Sequence, residues 1–490
     1  MYPELENTYV KLNEDLYVEC DPEPVSDPVS VRVNDELAEC LGFGPEWLAS
    51  DEGAEFAVGN RILDGSRPVA MAYAGDQYGQ FQPQLGDGRA HLLGEVVDGD
   101  GRRFDIHLKG SGRTAFSRQG DGRAPLGPVL REYLVSEATH SMGIPTTRSL
   151  TAASTGETVR RRNGPEPGAV LVRVARSHIR VGTFQYFAAR DNTEALRDLT
   201  IYTVQRHYPE LESTDPVDLF DGVVDRQAEL IAQWQLVGFV HGVMNTDNTL
   251  LSGETIDYGP CAFMNDYDPE TVFSSIDRYG RYAYKEQPSI ARWNLQRFAG
   301  ALLKLAGEDS DMETELESIL DDFMHRYQTA YNDGIAEKLG LEEFRSEDEE
   351  LVDDFFDRLE ENNVDFTLAF RRLTELADPD SDPEGRTVGE FFTFPSEFVA
   401  WLDRWQERLQ RQDRPATEVA ESMRSTNPVL IPRNYHINDA IEQAVEHDNY
   451  DKFHELADVL TSPFDWPDGQ DELLHPPTSD QRVKMTFCGT

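Results

Sequence analysis

The feature that most constrains this chain is an abrupt change of texture near residue 195. From about residue 68 to 190 the sequence is rich in Gly and Arg and broken into short alternating stretches; beyond that it turns helical. Phe104, Ile106 and Leu108 alternate with Asp105, His107 and Lys109, which predicts a strand with one buried face. VLVRVA (170–175) predicts another. Between them, Val129–His140 follows Pro125 and Pro128 and carries Leu130, Tyr133, Leu134 and Ala138 at helical spacing. Residues 224–240 predict a strongly apolar helix ending near Gly242, and the pattern stays helical from 285 to about 375. A Pro/Asp/Gly-rich linker at 378–385 precedes a last helical unit at 388–475, and residues 1–60 read as a polar entry segment with one helix near NDELAECLGF. No repeat of 20–50 residues is visible.

The fold class expected is α+β. Its parts would be an N-terminal extension (1–67), a β-rich N-lobe (68–192), a helical C-lobe (193–377) and a helical C-terminal region with a tail (388–490). A β-rich lobe before a larger helical lobe suits a nucleotide held in the cleft between them.

Charge removes several function classes. The 490 residues carry 45 Lys+Arg against 91 Asp+Glu, a formal net charge of −46, with acidic residues spread along the chain. Such a field repels phosphate backbones, so a generic nucleic-acid binder is excluded. No apolar run of about 18 residues occurs, which excludes an integral membrane protein. The amino terminus is acidic from Glu4 and lacks the basic and apolar regions of a signal peptide. The expectation is a cytoplasmic protein of a salt-adapted microbe, where salt screens self-repulsion. Basic residues are 38 arginines and only seven lysines, so each lysine invites a question about its job. Four cysteines (Cys20, Cys40, Cys261, Cys488) show no CxxC spacing, which argues against a zinc site or disulfide framework.

Candidate chemistry starts at Gly86-Asp87-Gly88-Arg89, where glycines let backbone N–H groups approach an anion; an ordinary turn is the alternative. Lys109, at the end of the alternating strand, could reach a phosphate, and Glu132 in the following helix could pair with it. Asp121-Gly122 adds a second glycine-flanked turn. Arg173 and Arg180 are seven apart; if that segment were helical they would share a face and clamp a polyphosphate. The strongest constellation is Asp247-Asn248 with Asp257. Two short arms flanking Ser252-Gly253 would bring an amide oxygen and a carboxylate together, a set suited to Mg2+ bound through few protein oxygens plus phosphates. Asp247, beside that ligand, could act as a general base.

Competing motifs fail. In LKGSGRT (108–114) the lysine precedes the glycines, the reverse of a P-loop. DYD (266–268) has the form of a polymerase metal pair without the matching upstream loop. Neither GxSxG nor HExxH occurs.

Taken together, YAGDQYGQFQPQLGDGRAHLLGE (73–95), residues 105–150, LVRVARSHIRVGTFQYFA (171–188), HGVMNTDNTLLSGETIDYGP (241–260) and NPVLIPRNYHINDAIEQA (427–444) resemble the selenoprotein O family. The resemblance implies a two-lobed, protein-kinase-like fold and transfer of AMP from ATP to Ser, Thr or Tyr hydroxyls of proteins, with Mg2+ or Mn2+ and release of pyrophosphate. It makes Gly86, Gly88, Arg89, Lys109, Asp121, Gly122, Arg173, Arg180 and Asp257 nucleotide contacts, Asn248 and Asp257 metal ligands, Asp247 the proton acceptor and Glu132 the lysine's partner. Two segments depart from the family pattern. Its GHQFG reads Gly75-Asp76-Gln77-Tyr78-Gly79 here, and its tail of Cys or selenocysteine plus two serines reads Cys488-Gly489-Thr490. A protein kinase transferring the γ-phosphoryl group and a non-catalytic nucleotide-binding scaffold are the alternatives. HGVMNTDN lacks an HRD-type aspartate, which disfavours the first, and the presence of a base and both metal ligands disfavours the second.

Overall fold

The computed structural model describes all residues except 162–163, 308–309, 380–386, 468 and 487–490. Most of the 378–385 linker, and Cys488, lie outside the described residues.

The architecture is α+β, built on an antiparallel sheet of eight strands among the described residues. In chain order these are β1 (Tyr17–Glu19), β2 (Val29–Val33), β3 (Val69–Met71), β6 (Ala90–Val97), β7 (Arg103–Lys109), β8 (Ala124–Pro125), β9 (Arg148–Arg161) and β10 (Gly164–Ala175). They lie in the order β1-β3-β6-β7-β10-β9-β2, with β8 on β10. A separate small hairpin, β4 (Gly75–Gln77) and β5 (Gln80–Gln82), follows β3. The entry segment is therefore more than a polar lead with one helix. It supplies β1 and β2 at the two ends of the main strand order, together with α1 (Asp35–Cys40), α2 (Pro45–Leu48) and α3 (Asp51–Val58). Phe56, Ala57 and Val58 of α3 pack with Ile106, Leu108, Val170 and Val172, which accounts for the folding of a segment otherwise dominated by acidic residues.

The 104–109 alternation is a strand as expected, but its polar face is not open to water. Asp105 and His107 are as buried as Ile106 and Leu108. Covering that face is α4 (Leu126–Ser141), whose Leu130 and Leu134 join one core with Leu92 and Leu171.

Helices follow: α5 (Val181–Ala188), α6 (Thr193–His207), α7 (Pro216–Leu236), α8 (Gln287–Leu302), α9 (Met312–Leu339), α10 (Glu349–Glu361), α11 (Phe366–Ala377), α12 (Val399–Leu409), α13 (Ala416–Thr426), α14 (Asn434–His447) and α15 (Asp451–Val459). The expected 224–240 helix starts earlier, at Pro216 behind the Asp215 N-cap, and stops at Leu236. Phe239–Val240 instead forms β11, which pairs with β12 (Ala262–Phe263). That two-residue ladder closes the loop carrying Asp247, Asn248 and Asp257. No helix among the described residues is long and apolar enough to cross a membrane.

Candidate active site

A cavity of 740 Å³ opens between the sheet, α4 and the 243–260 loop. Every residue singled out from the sequence lines it: Gly86, Gly88, Arg89, Lys109, Asp121, Gly122, Glu132, Arg173, Arg180, Asp247, Asn248 and Asp257.

Lys109 is the last residue of β7, and its ammonium leaves the strand toward α4 and the loop. Nζ donates to Glu132 Oε2 and to Asp257 Oδ1, each at 2.5 Å. Glu132 is buried on the inner face of α4, not on a solvated one. Its Oε1 accepts from Arg173 Nη1 at 3.2 Å, and the same nitrogen donates to Asp257 Oδ1 at 2.9 Å. Two cations thus share two carboxylates. Burial alone would raise the Asp257 carboxyl, but Lys109, Arg173 and Arg180 outweigh it and hold it well below the usual range. Asp257 also has φ +65°, a left-handed conformation uncommon outside glycine that marks a place where the surroundings dictate the backbone.

The helical clamp expected from Arg173 and Arg180 does not exist. Arg173 lies in β10, the chain then leaves the sheet, and Arg180 is the N-cap of α5. The strand signal of VLVRVA overrides helical spacing here, because β10 is paired on both sides, with β7 and β9. The two arginines still converge by tertiary packing. Arg180 is nearly fully buried, stacks over the Tyr73 ring at 4.2 Å, and donates Nε–H to His178 O and Nη1–H to Asp247 O. Its Nη2 and Arg173 Nε are buried donors without a partner among the described residues. Buried donors are costly to leave unpaired, and both arginines line the cavity.

The arms around Ser252-Gly253 do not pair with each other either. One pairs outward through Arg180↔Leu250 and the other through Thr146↔Thr255. Asn248 and Asp257 nevertheless line the same cavity, because these outside pairings and the β11–β12 ladder hold the loop's two ends. Asn248 donates Nδ2–H to Val243 O at 3.0 Å, which leaves Oδ1 for a cation. Asp257 Oδ1 is taken by the two cations, which leaves Oδ2. An amide and a carboxylate oxygen are a hard donor set that fits Mg2+ or Mn2+ completed by phosphate and water; among the described residues no cluster of three His, Cys, Asp or Glu offers an all-protein cage.

Asp247 sits in a 3-10 turn (Thr246–Asn248), buried, and burial pushes its carboxyl up to about 6 while Arg180 pulls it down. Oδ1 has no partner among the described residues. Oδ2 accepts from Gln77 Nε2 at 3.3 Å.

The Gly86–Arg89 loop is not a hairpin turn. Leu85 N and Asp87 N donate to Tyr73 O and Met71 O, laying the loop along β3, and Gly86 (φ +80°) lies so close to Phe116 that a Cβ would come within 2.3 Å of the ring. Asp121 is held by Arg161 through both carboxylate oxygens, at 2.7 and 3.2 Å.

Sequence reasoning missed several contributors. His107, read as one polar position of a strand, bridges Asp87 Oδ2 (3.1 Å) and Arg173 Nη2 (3.4 Å), so it ties the glycine loop to the Lys109 cluster. It stacks on His178, ring centroids 4.2 Å apart, and burial pushes both rings below the usual imidazole range. Gln77 stands within GDQYG, where no local pattern points to its partner. Polar residues at inward-facing strand positions were the available signal for His107.

A family model described as "Protein adenylyltransferase SelO" matches residues 2–461. This chain belongs to that family. Among its relatives, proteins called "Protein nucleotidyltransferase YdiU" from Rhodopseudomonas palustris and Bradyrhizobium diazoefficiens are 51% and 52% identical over 489 and 488 residues, covering 99% of this chain and of each relative. One of the same name from Nitrobacter hamburgensis is 52% identical over 489 residues, 99% of this chain and 96% of the relative. Membership in the SelO family makes this chain an enzyme of the nucleotidyltransferase class, with a nucleotide as substrate.

Proposed function

We propose that this chain transfers AMP from ATP to Ser, Thr or Tyr hydroxyls of proteins, releasing pyrophosphate, through a cleft organised as in a protein kinase. The observation that carries this reading is the convergence of Lys109, Glu132, Arg173 and Asp257 in one cavity with a buried, half-unpartnered Asp247. A strand lysine paired with a helix glutamate is the device kinases use to hold an ammonium against ATP phosphates. On this reading residues 68–192 form the nucleotide-binding lobe, completed by β1 and β2 from the 1–67 extension, 193–377 the helical lobe with the metal site, and 388–490 a C-terminal extension. An antiparallel sheet followed by a run of helices supports that kinase-like, two-lobed reading.

Lys109, Arg89, Arg173 and Arg180 would take the phosphate oxygens, and Gly86, Gly88, Asp121 and Gly122 would line the nucleotide's path. Asn248 and Asp257 would hold Mg2+ or Mn2+, which when bound neutralises phosphate charge. The acceptor hydroxyl attacks the α-phosphorus, its proton passing to Asp247, and the α-phosphorus–oxygen bond to the β-phosphate breaks with the electron pair leaving on pyrophosphate. A carboxyl near 6 is mostly ionised at neutral pH yet basic enough to accept that proton.

The test is ATP labelled separately at the α- and γ-phosphates, incubated with the chain, Mg2+ or Mn2+, and protein acceptors. Label kept on protein only from the α-position is expected. Label only from the γ-position would make the chain a kinase, and none from either would make it a scaffold.

A further inference from the structure

A second cavity, of 600 Å³, lies away from the first, between α1, α7, the Pro145–Arg148 stretch and residues 252–254. It falls in the size range of small-molecule sites. One face of α7 forms a wall: Arg226, Glu229, Leu230 and Gln233 line it, spaced i, i+3, i+4 and i+7. Leu37, Leu41 and Phe104 supply apolar surface opposite.

Its polar groups are unequally satisfied. Arg148 is paired with Glu137, and Arg102 with Asp98. Arg226 stacks on Tyr208 at 3.9 Å and donates to the carbonyls of His207 and Ser252. Arg176 differs. Its backbone N–H is fixed by the buried Glu254 carboxylate, which also accepts from Ser252 Oγ at 2.7 Å, yet its guanidinium makes no hydrogen bond or ion pair among the described residues. Nor does Gln233 Oε1, a buried acceptor without a donor. In a chain of net charge −46, a guanidinium lining a cavity without a hydrogen-bonding partner is a place where an anion gains charge-assisted hydrogen bonds.

We propose that this cavity binds a small organic oxyanion, its acid group on Arg176 and a hydroxyl or amine donated to Gln233 Oε1, with an apolar body against Leu37, Leu41 and Phe104. A cavity of 600 Å³ with one cation, one acceptor and an apolar wall suits a ligand the size of a substituted aromatic acid or its phosphate counterpart. Arg176 and Glu254 each stand three positions along the chain from a group of the first site, Arg173 and Asp257.

The experiment is titration calorimetry of the whole chain with para-hydroxybenzoate and with para-hydroxyphenyl phosphate, with and without ATP. Arg176→Gln, Gln233→Leu and Lys109→Met serve as variants, each checked by thermal melting. At least one probe is expected to bind with a dissociation constant on the order of millimolar or tighter. Arg176→Gln and Gln233→Leu should each weaken it about tenfold or more, and Lys109→Met should not. Which probe binds tells carboxylate from phosphate. Binding of neither probe, or binding that survives both Arg176→Gln and Gln233→Leu, overturns the proposal. Loss in Lys109→Met alone puts the probe in the larger cavity and overturns it too. Because the comparison of variants needs no turnover, it stands or falls separately from the adenylyl-transfer reading.

Discussion

Gln77 donates its side-chain amide to Asp247 across 170 positions of sequence, 3.3 Å from Oδ2. On the carboxylate's other side is Gly75, where a Cβ would lie 2.3 Å from Oδ1. Asp76 N, between them, donates to Thr246 Oγ1 at 2.7 Å. The β4–β5 hairpin is thereby clipped onto the turn that carries the proposed base, and it orients that base.

Removing the clip should show in turnover and not in nucleotide binding. Gln77→Ala is expected to lower kcat about tenfold while the KM for ATP moves less than about twofold, since the amide touches the base and not the nucleotide. Gly75→Ala should cost more, because its methyl must displace the carboxylate itself. A raised KM with unchanged kcat in Gln77→Ala would assign the hairpin to nucleotide binding instead.

Asp257 and Asp247 should separate cleanly. Asp257→Ala is expected to abolish metal-dependent transfer and weaken metal-supported ATP binding. Asp247→Ala should slow transfer by about a hundredfold or more while leaving ATP affinity largely intact, in keeping with what general bases contribute. Direct nucleotide titration beside single-turnover rates reads both. Equal losses of affinity in the two variants would dissolve the division of roles.

Lys109 tests whether the site needs a point charge. Its ammonium meets two carboxylates at 2.5 Å each, with Arg173 already donating one guanidinium nitrogen, Nη1, to the same pair. A second guanidinium there is wider and has fixed donor directions. Lys109→Arg should reduce transfer about a hundredfold, with a cooperative melt within a few degrees of the parent. Near-normal activity would mean that charge alone suffices.

Lys338 offers a pH test outside the site. It is buried, with its ammonium over the rings of Phe366 and Phe370, and burial pulls that ammonium down to about 7. With the folded value depressed, the unfolded chain binds more protons between about pH 7 and the ordinary lysine range, so this group makes stability rise with pH across that window. Below it, both states are protonated and the cost of the buried charge is fully present. The Phe370 ring, 4.1 Å from Nζ, returns only about 0.5–2 kcal/mol, against a cost on the order of a few kcal/mol for holding the ammonium out of water. Lys338→Met should therefore stabilise the fold at pH 6, and its advantage should shrink as pH rises from about 7 to 10. Denaturant melts of parent and variant across that range would expose a constant difference, which would remove the charge from the explanation.

What was legible in the sequence is what depends on near neighbours. The 104–109 alternation and the 129–140 spacing determined a strand and a helix, because burial repeats with the local geometry of each. The residue types pointed to the chemistry proposed for the cavity: one lysine at a strand end, a glutamate in the next helix, and an Asp-Asn pair near a second aspartate. Spacing misled where a local pattern was asked to stand for a distant contact. Arg173 and Arg180 meet in one cavity although no helix joins them, and the arms around Ser252-Gly253 pair with Arg180 and Thr146 rather than with each other. The buried polar face of β7, the hold of Gln77 on Asp247 and the second cavity's unpaired Arg176 were decided only by the tertiary structure. The reason is physical: periodicity records which side of an element is covered, whereas partners tens to hundreds of residues apart are chosen by how the elements pack.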